Sequence, residues 1–348
     1  MSNSTGQPET VQTSAVADPG TGSNDSTVDL KSIYAPIKEE LAAVEQVLRT
    51  ELSSETPWVD QLLEHSWLLG GKRMRPAFVL LSAGCFGAIK QPALQLAAAL
   101  EMVHTATLVH DDILDEADTR RHEPTANSKW GNKVGVLLGD YLFTHSFHIA
   151  SLSESAEAVR MLASSSNRVC EGEMRQNAWR GNFELTEADY TQMISDKTAE
   201  LTACACEVGA LLSGANADQI ESFRQYGLNI GIAFQIIDDL LDVAGNADTV
   251  GKTLGTDLLN QKPTLPVIHS LANSQPTSKS QLLAILNSAQ PSVEQVMPFL
   301  QSTASVQYAR DIAAGHATQA KTFAAQLDAN PYSQSLHNIA DFVLARTK

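Results

Sequence analysis

Positive charge is scarce in this 348-residue chain, where 24 Lys and Arg stand against 40 Asp and Glu for a net charge of −16 at pH 7. Neutralising nucleic-acid phosphates or docking on an anionic membrane needs clustered cations, so neither is the expected activity. Any basic site has to be local. Cysteine is scarce as well: Cys85, Cys170, Cys204 and Cys206 include one CxC but no CxxC pair and no zinc-caging spacing. Ordinary core thiols in a reducing compartment fit best. Residues 1–28 lack the basic and apolar regions of a secretory signal and contain no arginine, so a cytoplasmic protein is expected. The longest apolar stretches, such as Leu94 to Val109, carry Glu101 and His104 and are too short to cross a bilayer. No stable membrane anchor is expected.

Residues 1–28 are rich in Ser, Thr, Gly, Asn and Pro without periodicity, and so read as a disordered tail. From Asp29 onward the pattern is helical. Leu30, Ile33, Ile37, Leu41, Val44 and Leu48 recur at steps of three and four, with Asp29 placed as N-cap. Comparable stretches follow at 58–69, 75–86, 91–115, 134–152, 156–179, 187–213, 217–244, 264–273, 279–288, 293–301, 304–326 and 333–345. No long run alternates with period two, and no Asn-Gly or Asp-Gly joins two β-branched segments. The expectation is one all-α domain over 29–348. Ala93 to Val109 and Leu228 to Val243 are apolar over most of their circumference, which places them at the centre of a helical bundle. Gly227 and Gly231, four apart, would permit close helix approach there.

Each of these two apolar helices carries an acidic cluster. The first, HDDILDEAD, holds Asp111, Asp112 and Asp115; the second, FQIIDDLLDVAG, holds Asp238, Asp239 and Asp242. Carboxylates at i and i+4 share a helix face about 5–6 Å apart and repel, so a cation should lie between them. A site made of carboxylate oxygens alone suits Mg²⁺, which is usually completed by water and substrate phosphates. A lone DDxxD is more often a solvated helix end. Two of them, both inside apolar helices, are too costly to be idle. The few cations cluster nearby in sequence: Lys72, Arg73 and Arg75 in GGKRMRP at a loop-to-helix junction, Arg120 and Arg121 after the first cluster, Lys252 and Lys262 after the second.

GGKRMRP, DDILD followed by RR and PT, DKTA at 196–199, FQIIDD, and GKTLGTD with QKPTLP, in this order, resemble the trans-isoprenyl (polyprenyl) diphosphate synthase family. The likeness runs from about Tyr34 to the carboxyl terminus. It implies an isoprenoid-synthase-type helical bundle whose two aspartate motifs face each other across a central cavity. It also implies three Mg²⁺ on the diphosphate of an allylic substrate, held by Asp111, Asp115 and Asp238 with Asp112, Asp239 and Asp242 alongside. Arg120, Lys197, Thr198, Gln235, Lys252 and Lys262 match the family's allylic-site positions, while Lys72, Arg75, His104 and Arg121 match those for isopentenyl diphosphate. Asp111, Asp115, Lys197, Asp238 and Lys252 would carry the chemistry. In the family, diphosphate leaves the allylic carbon, the double bond of isopentenyl diphosphate attacks the resulting cation, and the new cation loses a proton to the released diphosphate, leaving a trans double bond. The product is five carbons longer, and the family works as a homodimer.

The growing tail should run beside the helix that ends in Asp111. One helical turn is about 5.4 Å, close to the length of one isoprene unit, so residues one to three turns earlier act as a ruler. These are Thr107 and Ala106, Val103 and Met102, Leu100 and Ala99. None is aromatic, whereas family members that stop at fifteen carbons place an aromatic just before the motif. The pattern resembles synthases of quinone side chains, with a product of about thirty carbons or more. If Phe143, Phe147 or Leu162 supplies a floor from a neighbouring helix, geranylgeranyl diphosphate is the alternative. Two positions depart from the family: His122 replaces a glycine, with an expected effect on loop closure, and Arg175 enters a usually apolar segment, where only a side-chain rearrangement is expected. A non-catalytic partner subunit would typically lose one aspartate motif. A terpene cyclase would not need Lys72, Arg75, His104 and Arg121.

Overall fold

A computed structural model describes residues 29–68, 71–121, 123–245 and 254–346. The tail expected at 1–28, together with His122 and Lys252, lies outside the described residues. The chain starts where the sequence places its first cap: the Asp29 carboxylate accepts from Ser32 N–H at 2.7 Å and opens the short helix α1 (Leu30–Ile33). A 3₁₀ turn (Ala35–Ile37) leads to α2 (Lys38–Glu51), which buries Val44 and Leu48 one turn apart. Then come α3 (Pro57–Leu68), α4 (Met74–Gly84) and α5 (Gln91–Leu114). A two-stranded hairpin, β1 (Thr119–Arg120) with β2 (Glu123–Pro124), precedes α6 (Ala126–Trp130), α7 (Asn132–Ser151) and α8 (Ala156–Ala178).

The second half contains α9 (Glu187–Ile194), a π-helical segment (Ser195–Ala199), α10 (Glu200–Leu212) and α11 (Ala217–Ala244). It closes with α12 (Thr256–Leu259), α13 (Leu265–Asn273), α14 (Pro276–Leu286), α15 (Val293–Ser302), α16 (Ser305–Ala324) and α17 (Pro331–Leu344). Thr186 and Asn216 open α9 and α11 with capping boxes, satisfying backbone donors that the first helical turn leaves free.

The helices α5, α10 and α11 form the centre, flanked by α4, α7 and α16. Their side chains explain the arrangement. Ala93, Leu96, Ala97, Ala98, Ala99 and Leu100 are all buried, and a helix that is apolar all round is stable only when enclosed. Gly227 and Gly231 allow α11 to lie against α10 and the π segment: an added Cβ would stand 2.6 Å from the Thr202 carbonyl oxygen and 2.5 Å from Ala199 Cα. A smaller core of Phe183, Val243, Leu258, Val267, Leu271 and Leu282 holds α12 to α15 over the C-terminal end of α11. Cys204 and Cys206 are buried free thiols, and burial pushes Cys204 up to about 12. Among the described residues no helix is long and apolar enough to cross a membrane.

Two local features escape the periodic pattern. The hairpin turns through Arg121 with φ of 53°, a conformation that sequence patterns associate with Gly or Asn. The stretch expected as one helix over 187–213 is interrupted by the π segment, which holds Lys197 and Thr198; single π turns of this kind recur at functional sites.

Candidate active site

Both acidic clusters sit on the last turns of their helices, α5 and α11. That is the negative end of a helix dipole, so the helix adds to the repulsion among the carboxylates rather than relieving it. In the first cluster, basic side chains supply the compensation. Asp112 accepts from Arg120 Nε at 2.8 Å, while its Oδ2 is buried without a partner. Asp115 accepts from Arg180 Nη2 at 2.6 Å on Oδ1 and from Lys262 Nζ at 2.8 Å on Oδ2. Burial raises the Asp115 carboxyl, but Lys262, Lys197 and Arg180 together hold it below the ordinary range. Asp111 is half-buried. Desolvation, helped by Glu173 and Asp115, pushes it up to about 6 although Lys197 opposes the shift.

The second cluster is arranged differently. Asp239 is 6% exposed, and its oxygens accept from Tyr190 Oη at 2.6 Å and Gln235 Nε2 at 2.7 Å. Gln235 accepts in turn from Thr198 Oγ1 at 2.8 Å. Burial and neighbouring Asp257 hold the Asp239 carboxyl far above the ordinary range. Asp242 accepts from the backbone N–H of Thr256 at 3.1 Å and Asp257 at 3.0 Å, so it caps α12 and ties down the segment that delivers Lys262. Asp238 pairs with Arg346 at 2.7 Å, and that guanidinium lies 4.0 Å from the centre of the Phe234 ring.

Lys197 and Lys262 join the two halves. Lys197 bonds Gln176 at 2.7 Å and pairs with Glu173 at 2.5 Å, and the charges of Asp111 and Asp115 help keep it protonated. The π segment that carries it rests on α8 at Gly172, where a Cβ would stand 2.5 Å from the Lys197 backbone nitrogen. Arg175 is bound rather than merely displaced: it pairs with Asp196 on that same segment. A cleft opens between these groups, lined by Gln176, Tyr190, Lys197, Thr198, Gln235, Asp239, Asp257 and Lys262.

The isopentenyl-site candidates also come together. Arg75, Arg120 and Arg121 lie close enough to His104 that their charges, after burial itself, hold its ring well below the ordinary histidine range. Burial followed by the Arg121 charge lowers Arg75 in turn, with Glu101 opposing. Arg73 absorbs much of the local acid, pairing with Glu45 at 2.7 Å and Glu101 at 3.0 Å. Lys72 lies 5.6 Å over the Phe342 ring of α17. Cations crowded closely enough to lower one another's proton affinity favour an anion between them. Arg73, Glu116, Arg121 and Gln261 all take left-handed φ, between 50° and 53°, and such strain persists where the surrounding structure enforces it.

Among the described residues no three acidic or imidazole groups converge into a ready cage. The donor set still suits a hard divalent cation: carboxylate oxygens only, Asp112 Oδ2 orphaned, and Asp111 and Asp239 raised by crowding and burial. Asp257, Arg180 and Arg346 also belong to the site, yet the motif spacing does not single them out. Asp257 is the last residue of GKTLGTD and is pushed up to about 6 by burial and Asp242. Arg180 and Arg346 have no local signal; the fold alone brings them to Asp115 and Asp238.

The family model for polyprenyl synthetase matches residues 56–303. The chain belongs to the polyprenyl synthetase family. It is thus a prenyl-transferring enzyme with the family's all-helical fold. It is 35% identical to the all-trans-nonaprenyl-diphosphate synthase (geranyl-diphosphate specific) of Rhodobacter capsulatus, over 92% of this chain and 99% of the relative. It is 34% identical to the short chain isoprenyl diphosphate synthase of Methanothermobacter thermautotrophicus, over 86% of this chain and 94% of that one. The decaprenyl diphosphate synthase structure from Rhodobacter capsulatus superposes with a TM-score of 0.87 at 35% identity, covering 92% of this polyprenyl synthetase and 100% of its counterpart.

Proposed function

We propose that this polyprenyl synthetase condenses isopentenyl diphosphate with an allylic diphosphate, in a Mg²⁺-dependent reaction, to an all-trans chain of about thirty carbons or more. The observation that carries this reading is the pairing of two differently charged compartments. Carboxylates of both clusters and Lys197, Thr198, Gln235 and Lys262 surround or adjoin one cleft, while Arg75, Arg120 and Arg121 crowd around His104, and Lys72 stands exposed over Phe342. Mg²⁺ held by Asp111, Asp115 and Asp238 would neutralise the departing diphosphate. Asp112, Asp239 and Asp242 would support it, and the unplaced Lys252 matches a further allylic position. Lys197 and Lys262 stabilise the same departing charge from the protein side. Arg75, His104 and Arg121 hold the second diphosphate so that its double bond faces the allylic carbon. A low-dielectric cleft also keeps water from the cation.

The chain length follows from the wall. Ala99, Leu100, Val103 and Ala106 are fully buried, Met102 is 1% exposed, and Thr107 is half-buried. None of these α5 residues is aromatic. One observation favours a shorter product: Phe143 and Phe147 pack edge to face on α7 with ring centres 5.4 Å apart, and such a pair would make a floor for geranylgeranyl diphosphate. Incubating the chain with Mg²⁺, farnesyl diphosphate and labelled isopentenyl diphosphate, then sizing the dephosphorylated products by mass spectrometry, decides between them. A product of about thirty carbons or longer supports the open wall, and a stop at geranylgeranyl diphosphate supports the floor. No turnover would sink the assignment in favour of a non-catalytic subunit. Family resemblance further supports a homodimer, which sedimentation of the purified chain would test.

A further inference from the structure

Arg180 stands in the turn that follows α8, at a position that no motif marks. Its neighbour Gly181, at φ of 74°, donates its N–H to the carbonyl of Gln261 at 2.9 Å, and Gln261 is itself left-handed at 51°. That bond stitches the Arg180 turn to the turn that carries Lys262. Two cations from two joined turns therefore converge on one carboxylate, with Arg180 on Asp115 Oδ1 and Lys262 on Oδ2. An ion pair needs only one of them. A guanidinium has five N–H donors, and the Nε of Arg180 is buried without a partner. The side chains of Arg180 and Asp115 are each 27% exposed, and Lys262 lines the cleft.

We propose that Arg180 is a further diphosphate-binding residue of the allylic site, resting on the functional assignment above. A cation that coordinates Asp115 takes oxygens now shared with Arg180, so the guanidinium is released beside the place where the leaving diphosphate gathers charge. Its planar fork suits two phosphate oxygens, where Lys262 offers a point charge.

The test uses the full chain with Mg²⁺ and saturating isopentenyl diphosphate, which blocks the other anion site. Inorganic diphosphate is then titrated calorimetrically into the wild type, Arg180→Gln and Arg180→Lys. In Arg180→Gln the affinity should fall about tenfold, with a matching rise in KM for farnesyl diphosphate and an almost unchanged KM for isopentenyl diphosphate. Arg180→Lys should recover part of the loss, and it decides the matter if thermal melting shows the glutamine variant misfolded. Unchanged or tighter binding of diphosphate in the variants overturns the proposal, because Arg180 would then only compete for Asp115. If the wild type binds diphosphate in the expected way but makes no product, the assignment of function fails while the role of Arg180 stands.

Discussion

The two aspartate clusters have the same spacing, end the same kind of apolar helix and face the same unfavourable dipole, yet their carboxylates are used in different ways. In the first, Asp112 and Asp115 meet basic side chains, Arg120, Arg180 and Lys262. In the second, Asp239 is locked by a tyrosine and an amide, and Asp242 caps a helix. Asp238 pairs with a basic side chain, Arg346. Repeated spacing therefore fixes which helix face the carboxylates share, whereas the elements packed opposite decide which of them can be surrendered to a ligand. Ion pairs at a partly open cleft exchange readily. A buried carboxylate held by two neutral donors does not.

If that contrast is right, substitutions should separate activity from stability. Replacing Asp111 or Asp115 with Ala should lower kcat by about 10²–10³-fold, as loss of charge stabilisation does elsewhere. In Asp111→Ala the melting temperature should hold or rise, because burial and neighbouring acids crowd that carboxylate and function is built at some cost in stability; in Asp115→Ala it should fall slightly, because Arg180 and Lys262 lose their partner. Asp239→Ala should lower both together. It strands Tyr190 Oη and Gln235 in a buried setting, which costs about 1–3 kcal/mol and frees the Thr198–Gln235 pair from its anchor. Urea unfolding alongside steady-state kinetics checks both, and equal stability losses in the two clusters would erase the distinction. Tyr190→Phe should show a milder form of the Asp239 effect. Asp242→Ala should cost about 1 kcal/mol, the usual value of a lost N-cap. Because the cap also steadies the turn that carries Lys262, its kinetic signature should be a raised KM for the allylic substrate.

Much of this architecture was legible beforehand for a physical reason. Helices such as α5 and α11 carry three turns or more of uninterrupted periodicity, and the clusters lie inside them. Gly227 and Gly231 announced a close approach that the structure realises against Thr202 and Ala199. The crowding of Arg75 and Arg121 around His104 was foreshadowed because basic residues stand out in a cation-poor chain. Arg180, Arg346 and Asp257 were not legible as partners, since they reach their aspartates by tertiary folding across 65, 108 and 15 residues of sequence. The hairpin at 119–124 was missed because two-residue strands have no period to read. The π segment was missed because its composition is that of an ordinary helix.

The smallest expected effect probes the first cluster against itself. Burial keeps Asp111 protonated up to about 6, while in the unfolded chain it ionises near pH 4. Between those limits the folded protein holds a proton that the unfolded chain has released, so this group's contribution to stability falls as pH rises from about 4 to about 6 and then levels off. Asp115, one turn away, has the opposite sign: its lowered carboxyl adds stability above its unfolded range, and that gain is lost only as pH falls below about 4. Urea midpoints measured with a chelator from about pH 4.5 to 6.5 should therefore decline less steeply in Asp111→Asn than in the wild type. Asp115→Asn should shift the midpoint and also flatten the slope in part, because the Asp115 charge helps raise Asp111. Parallel slopes for the wild type and Asp111→Asn would mean that Lys197 compensates Asp111 fully, and the first cluster would then be as locked as the second.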